Sequence, residues 1–355
     1  MTSRLRFLQI VLFGDSLSWS WRAPYGKRYA DFVEAEIQNH IKGCIVDVAA
    51  CGNGGDTAEL GLRRVERDCI EYDPQVVVVN FGVNDVFRVS KITFEYAYQT
   101  LIETILKKTK ALLILETIPF LDEKRFRQYH PLQQALFCGG LESYLERFSH
   151  SFIREMTVKY SLLLHDRFEI FHRGLEKTPS LGEKLIRDDG IHLTIEGNKF
   201  FASTLAEMII CSLPKIQCSS DNAAYWLEKA KQNPIYRECC IMLEKGNLEQ
   251  SLLSSGPQGK ENKPKRLLLQ QCRSFARRAH ALASDRKTER QALLTERLAA
   301  GFLAVERALN PPCEEALTGS IEWAVQRLYD VRSEPLAQKL IDYLCKIRED
   351  SLPEK

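Results

Sequence analysis

The chain has 355 residues, with 49 basic and 47 acidic side chains and a formal net charge of +2. This length exceeds one typical domain, and a hydrophobic fraction of 45% is ample for a packed core. Nothing in so even a charge balance indicates a nucleic-acid or strongly anionic partner.

The 11 cysteines are scattered, and no two of them form a C-x-x-C pair. That pair is typical of zinc ribbons and thioredoxin-like redox sites, so the sequence favours neither. Cys44 and Cys51 are among several that lie in apolar runs, where a reduced thiol acts as a small core residue. The apolar run before Gly14 is short and has no small-residue cleavage site, and no run approaches the roughly 20 residues of a membrane span. We therefore expect a reducing compartment and a cytoplasmic location.

Over the first 215 residues, short apolar runs alternate with longer amphipathic ones. The run Val76-Val77-Val78-Val79 is continuous and β-branched, as expected for a strand that is covered on both faces. Helical patterns lie near 25–41, 56–72, 92–109, 139–158 and 195–212. The predicted strands are Phe7–Phe13, Cys44–Ala50, Gln75–Phe81, Ala111–Ile118 and Tyr160–His165.

This alternation predicts an α/β fold with a flavodoxin-like, doubly wound sheet of five parallel strands. In such sheets the ligand binds beyond the carboxyl ends of the strands, so any chemistry should follow directly after a strand.

After Leu213-Pro214 the strand pattern ends and the remaining sequence reads as helices. We predict a pair of helices near 222–248, a linker near 254–264, a long amphipathic stretch over about 265–309, and shorter helices near 315–330 and 335–348. The sequence thus predicts two domains, 1–215 and an all-α C-terminal domain over 216–355.

Three polar motifs follow predicted strands, and a fourth precedes the last helix of the first domain. Each of the first three alone is also compatible with an ordinary turn. The four are Gly14-Asp15-Ser16-Leu17, Gly52-Asn53-Gly54-Gly55-Asp56-Thr57, Gly82-Val83-Asn84-Asp85 and Asp188-Asp189-Gly190-Ile191-His192.

The fourth motif supplies what a serine nucleophile needs. A serine hydroxyl is a poor nucleophile until a positioned base accepts its proton. The spacing of Asp189 and His192 lets the carboxylate accept from Nδ1–H while Nε2 faces outward to a serine. An amide side chain at Asn84 can donate to an oxyanion that forms at the same sheet edge.

Together the four motifs resemble those of the SGNH/GDSL hydrolases, over roughly residues 6–213. The resemblance implies Ser16 as nucleophile, His192 as general base, Asp189 as the third member of the triad, and an oxyanion hole formed by Ser16, Gly55 and Asn84. One departure is Ala50, where the family often has an asparagine; that residue supports local hydrogen bonding rather than catalysis. The resemblance implies esterase or lipase activity through an acyl-enzyme, with no metal or organic cofactor.

The substrate class implied by the resemblance is a small-molecule, lipid or glycan ester, or an acyl thioester. Trp19, Trp21 and Tyr25 follow the nucleophile closely and are candidates to line the substrate pocket. His130 lies in the connection after the fourth strand and is either a wall of this pocket or part of a plain surface loop.

The C-terminal helices leave alternatives open. Residues 261–310 contain eleven Lys/Arg against five Asp/Glu, and their leucines and phenylalanines have helical spacing. This pattern fits a bundle that packs on itself or on the hydrolase domain, which we favour. It also fits a module that binds a protein partner, mediates self-association, or recruits a phospholipase to an anionic membrane. In a further alternative the protein is an adaptor whose helices carry the function.

Overall fold

The computed structural model describes residues 6–119, 121–129, 140–216, 222–252, 265–309 and 313–350. The predicted linker at 254–264 and the pocket candidate His130 lie outside these ranges.

Five parallel strands form one sheet in the order β2-β1-β3-β4-β5. This topology confirms the predicted doubly wound fold, and each strand lies within two or three residues of its predicted bounds. The strands are β1 (Phe7–Gly14), β2 (Ile45–Gly52), β3 (Val76–Asn80), β4 (Leu112–Glu116) and β5 (Leu163–His165).

Helices cover both faces of the sheet. Alternate strand residues point to opposite faces, so β3 contributes Val77 and Val79 to one apolar cluster and Val76 and Val78 to the other. The helices that accompany the sheet are α1 (Ser16–Trp19), α2 (Tyr29–His40), α3 (Ala58–Asp68), α4 (Asp85–Arg88), α5 (Lys91–Lys108), α6 (Glu123–Tyr129), α7 (Leu141–Leu145), α8 (Ser151–Lys159), α9 (Arg167–Lys177), α10 (Leu181–Leu185) and α11 (Ile195–Ser212).

Beyond residue 222 the described chain is helical, as predicted. The expected long stretch over 265–309 is two helices, because the Asp285 carboxylate accepts a hydrogen bond from the Thr288 amide (2.9 Å) and starts a new helix there. The C-terminal helices are α12 (Ala223–Lys231), α13 (Pro234–Glu244), α14 (Leu248–Leu252), α15 (Lys265–Leu282), α16 (Arg286–Leu309), α17 (Glu314–Leu328) and α18 (Pro335–Asp350).

Helix α15 packs against β2, and one apolar cluster runs from the sheet into the C-terminal helices. The ring of Phe275 on α15 lies 5.7 Å from that of Tyr72. Asp47, in the middle of β2, is fully buried and lies 3.2 Å from the guanidinium of Arg277 on α15. The division into domains at residue 215 stays a prediction, and the packed core crosses it.

Much of the basic excess of residues 261–310 points inward. Arg266, Arg273, Arg278 and Arg307 are all buried. These four charges therefore do not contribute to an outward basic face of the C-terminal helices.

Candidate active site

The first strand delivers Ser16 to the carboxyl edge of the sheet. β1 ends at Gly14, and the Asp15 carboxylate accepts a hydrogen bond from the Leu17 amide (2.9 Å), which starts the short helix α1. Ser16 is the first residue of α1. Its side chain therefore stands at the edge where ligands of doubly wound sheets bind.

Ser16, His192 and Asp189 form a continuous hydrogen-bonded chain. Nε2 of His192 lies 2.9 Å from Oγ of Ser16, and Nδ1 lies 2.9 Å from Oδ2 of Asp189. The two ends of this chain are 176 residues apart in sequence. An imidazole so placed can accept the hydroxyl proton while the carboxylate holds its tautomer.

The loop before α11 fixes the Asp189 carboxylate. Its Oδ1 accepts hydrogen bonds from the amides of Ile191 and His192, both at 2.9 Å. Burial by itself would raise the pKa of Asp189, but the hydrogen bond and charge of the His192 ring and the two amides lower this pKa well below its usual range. Arg22 lies 3.5 Å from Oδ2 of Asp189 and 2.9 Å from Asp188. The carboxylate is therefore ionised at neutral pH.

The turn after β2 brings Gly55 to the same edge. Gly55 has φ +81°, which a side chain at this position would strain. Arg64 of α3 anchors the turn by donating to the carbonyls of Gly14 (2.6 Å) and Cys51 (2.8 Å) and to the Asp56 carboxylate (2.7 Å). One buried guanidinium thus joins the ends of β1 and β2.

The turn after β3 brings Asn84 to this edge. Its side-chain amide donates to the carbonyl of Asp56 (3.0 Å) and to Oδ2 of Asp15 (3.3 Å). Asn84 therefore bridges the Asp15-Ser16 turn and the Gly55 turn.

These residues line a cleft of about 640 Å³ that contains Ser16, His192, Gly55 and Asn84. Trp19 and Trp21 lie on its wall, and the Trp21 ring lies 5.2 Å from that of His192. Tyr25, which the sequence suggests for this pocket, is buried elsewhere: its ring stacks on Trp323 of α17 at 5.0 Å. The C-terminal helices cover it, so proximity to the nucleophile in sequence did not place it in the cleft.

Sequence reasoning overlooked two arginines of this cleft, Arg22 and Arg88. Arg88, on α4, donates to the carbonyl of Gly55 at 2.5 Å. The sequence signal for Arg88 was its position four residues after Asn84. The short helix α4 begins directly after Asn84 and ends at Arg88, so both residues lie near the same turn.

Asp15 directly precedes Ser16 and is fully buried. Burial raises the pKa of its carboxyl to about 7; the Leu17 amide opposes this shift, and the charges of Asp85 and Asp56 add to it. The folded-state pKa thus lies above the ordinary value of 3.8, so protonation of Asp15 favours the folded state. This stabilisation is complete below pH 3.8 and is lost as the pH rises through about 7.

We therefore expect the wild type to lose about 2 kcal/mol more unfolding free energy than Asp15→Asn between pH 5.5 and 8. Urea unfolding at both pH values measures this difference. Carboxyls with a lowered pKa, such as Asp189, change protonation in acid outside this window. Equal losses in the two proteins would show that Asp15 is ionised throughout.

A family model described as GDSL-like lipase/acylhydrolase matches residues 12–200, just over half of the chain. The chain belongs to the GDSL-like lipase/acylhydrolase family. The resemblance drawn from its four motifs is thereby confirmed, and the protein is a hydrolase with the SGNH fold followed by helices that the family model does not cover. No curated protein matches the sequence.

Several solved structures resemble this acylhydrolase over more than half of its length. A lipase/acylhydrolase from Enterococcus faecalis is 23% identical, with a TM-score of 0.46, over 60% of this chain and 99% of its own. The acetyl xylan esterase AlAXEase is 22% identical, with a TM-score of 0.46, over 57% and 100%. The acetylxylan esterase Axe2 from Geobacillus stearothermophilus is 20% identical, with a TM-score of 0.44, over 57% and 94%.

The described residues of the acylhydrolase show neither a metal-binding cluster nor a membrane-spanning helix. Among them, no group of three or more His, Cys, Asp or Glu side chains is placed to hold a metal ion. Within the same ranges, no helix is both long and apolar enough to cross a membrane.

Proposed function

We propose that this acylhydrolase cleaves carboxylic esters through an acyl-enzyme on Ser16. The observation that carries the proposal is the hydrogen-bonded chain in which Nε2 of His192 lies 2.9 Å from Oγ of Ser16 and Nδ1 lies 2.9 Å from Asp189. It is the arrangement that serine hydrolases on unrelated folds share. The family membership supports the same reaction class.

In the proposed first step, Oγ of Ser16 attacks the ester carbonyl carbon while Nε2 of His192 accepts the hydroxyl proton. The ionised Asp189 stabilises the imidazolium that forms. The tetrahedral intermediate then expels the alcohol, which takes the proton from Nε2, and the acyl group remains on Ser16. In the second half of the reaction, water attacks the acyl carbon and gives a proton to Nε2 of His192. The tetrahedral intermediate then releases the acid, and Oγ of Ser16 takes the proton back from Nε2.

Negative charge develops on the former carbonyl oxygen in both halves of the reaction. We propose that the amides of Ser16 and Gly55 and the side chain of Asn84 stabilise this charge. In the free enzyme Asn84 donates to Asp56 and, over the longer distance of 3.3 Å, to Asp15. The longer bond is the weaker one, so we expect Asn84 to exchange it for the oxyanion.

The proposal is tested by hydrolysis of p-nitrophenyl acetate and by labelling with a fluorophosphonate. We expect release of p-nitrophenol and a single phosphonyl adduct on Ser16, located by mass spectrometry of the digested protein. Turnover without an adduct on Ser16, or no turnover with a panel of esters of different acyl length, would remove the proposal.

Replacing Asn84 with alanine is expected to lower kcat by about 10²–10³-fold and to change KM little. The donor acts mainly in the transition state, so its loss should not weaken ground-state binding in proportion. Steady-state kinetics on p-nitrophenyl acetate measure both constants. A change confined to KM would assign Asn84 to substrate binding instead.

The classes of ester substrate, the cytoplasmic location and any protein or membrane partner of the C-terminal helices stay predictions from the sequence. The two tryptophans of the cleft offer apolar surface to an acyl chain or to a sugar ring. A panel of esters that varies the acyl chain and the alcohol separately would separate these substrate classes.

A further inference from the structure

We propose that Arg266 and Arg307, from the C-terminal helices, are positioning residues for the active site. The inference rests on the proposed ester hydrolysis and adds a role for the region that the family model leaves uncovered. Both arginines are buried against the loop that follows the nucleophile.

Arg266, at the start of α15, reaches the turn of the second motif. Its Nη2 donates to the carbonyl of Gly52 at 2.6 Å, and its guanidinium lies 4.0 Å from the centre of the Trp19 ring. Gly52 is three residues before Gly55, and a Cβ at Gly52 would lie 2.2 Å from the Asp15 carbonyl. Arg266 therefore fixes the turn where it passes closest to the nucleophile segment.

Arg307, near the end of α16, holds the other side of the nucleophile loop. It donates to the carbonyls of Trp21 (2.9 Å) and Ala23 (2.7 Å). Its guanidinium also lies 5.0 Å from the centre of the Trp19 ring. Arg307 thus sets the backbone on both sides of Arg22, next to the Trp21 ring that packs on His192.

A third C-terminal helix, α17, also contacts the loop that follows Ser16. The hydroxyl of Ser320 accepts a hydrogen bond from the Tyr25 amide at 3.2 Å, and Trp323 stacks on the Tyr25 ring. Helices α15, α16 and α17 therefore all hold the loop over residues 19–25. This loop carries Trp19 and Trp21, the two tryptophans on the wall of the cleft.

Burying two arginines at this place is costly, and the charge of Glu306 offsets part of that cost. In the described part of the chain, every hydrogen bond of these two guanidiniums goes to a backbone carbonyl. Burial lowers the pKa of both side chains, which reflects the cost of removing each charge from water. Replacing a whole buried ion pair by apolar side chains of similar volume is often neutral for stability, whereas removing one charge of such a pair is destabilising. Apolar side chains cannot donate hydrogen bonds to the carbonyls of Gly52, Trp21 and Ala23, as the two arginines do.

The two arginines should have different kinetic effects. Arg266 acts on the turn that carries Gly55, so its loss should appear mainly in kcat. Arg307 acts on the loop that carries Trp21 and Arg22, so its loss should change both KM and kcat. A displacement of about 1 Å at such positions is enough to cost up to about a hundredfold in rate.

The experiment measures kcat and KM for p-nitrophenyl acetate, together with the melting temperature, for full-length Arg266→Met and Arg307→Met. The matched control is Arg278→Met. Arg278 is also a buried arginine of α15; its guanidinium lies 4.0 Å from the centre of the Trp226 ring, and it donates to the Tyr72 carbonyl at 3.1 Å and to the Asp73 carboxylate at 2.8 Å. It is not among the described residues that line the cleft. It reports the effect of losing such an arginine away from the active site.

We expect Arg266→Met and Arg307→Met to lower kcat/KM by about 10- to 100-fold at a temperature where both are folded. Arg278→Met should shift the melting temperature while keeping kcat/KM within about twofold of the wild type. Should a methionine variant fail to fold, the lysine variants decide, with Arg278→Lys as control. Lysine keeps the charge but loses the planar fork, so partial activity is expected at both cleft positions.

Active, folded variants at positions 266 and 307 with wild-type kcat/KM would overturn the inference. Equal losses in all three variants would also overturn it, because the effect would then follow stability alone. A wild-type protein with no ester hydrolysis at all would instead remove the proposed function, so the two failures are distinguishable.

Discussion

Replacing Ser16 with alanine is expected to lower kcat for p-nitrophenyl acetate by roughly four to six orders of magnitude. The substitution removes the Oγ atom that lies 2.9 Å from Nε2 of His192, and no acyl-enzyme can form without it. Steady-state hydrolysis measures the loss, and the fluorophosphonate adduct should vanish in parallel. Because Ser16 is at the surface of a cleft rather than in the apolar core, the melting temperature should change little.

His192→Ala should reduce turnover about as far as Ser16→Ala, and the double variant should be no worse than either single one. Residues that act as a unit give such non-additive losses. Ser18→Ala is the matched control, since Ser18 lies in the same short helix and does not line the large cleft. Near wild-type turnover in His192→Ala, or losses that multiply in the double variant, would contradict the assignment.

The second large effect concerns the C-terminal helices. We expect a chain that ends at residue 216 to lack a cooperative thermal transition and to bind the dye ANS. Truncation uncovers the sheet face beneath α15, where Phe7 of β1 and Ala49 of β2 belong to the apolar cluster shared with Phe275, and it uncovers Tyr72 of the turn after α3. Exposed apolar sheet surface weakens folding and promotes aggregation.

Truncation also removes the contacts that hold the cleft. The carbonyls of Gly52, Trp21 and Ala23 lose their arginine donors, so any folded remainder should hydrolyse esters poorly. Circular dichroism melting and ester hydrolysis measure the two effects. Co-expression of residues 222–355 as a separate chain should restore solubility and activity if the helices act by packing.

A monomeric, cooperatively folding chain of residues 1–216 with full activity would contradict this expectation. That result would establish the division into two independent domains that the sequence suggests at residue 215. It would also show that the loop over residues 19–25 keeps its conformation without α15, α16 and α17.

The sequence located the strands well for a simple reason. Strands covered on both faces are continuous apolar runs, so Val76–Asn80 and Leu112–Glu116 stand out from their surroundings. β5 is the exception: it starts at Leu163 rather than Tyr160, because α8 continues to Lys159 and Ser161 has φ +53°. A serine with a positive φ does not alter the pattern of apolar residues, so the sequence did not show where the strand begins. Helices α9 and α10 were also missed, although Asp166 caps the first of them.

The proximity of Ser16, Gly55 and Asn84 could be foreseen, because parallel strands bring their carboxyl ends to one edge and motifs at those ends must meet there. His192 precedes α11 and follows no strand, so its place beside Ser16 was implied by the resemblance. The sequence by itself therefore determined the fold class, the family and the residues proposed for chemistry. Only the tertiary structure decided that Tyr25 lies beneath α17, and that Arg266 and Arg307 bind the cleft loop from more than 200 residues away. Contacts between a loop and distant helices depend on how whole elements pack, and such packing leaves no periodicity or fixed spacing in the chain.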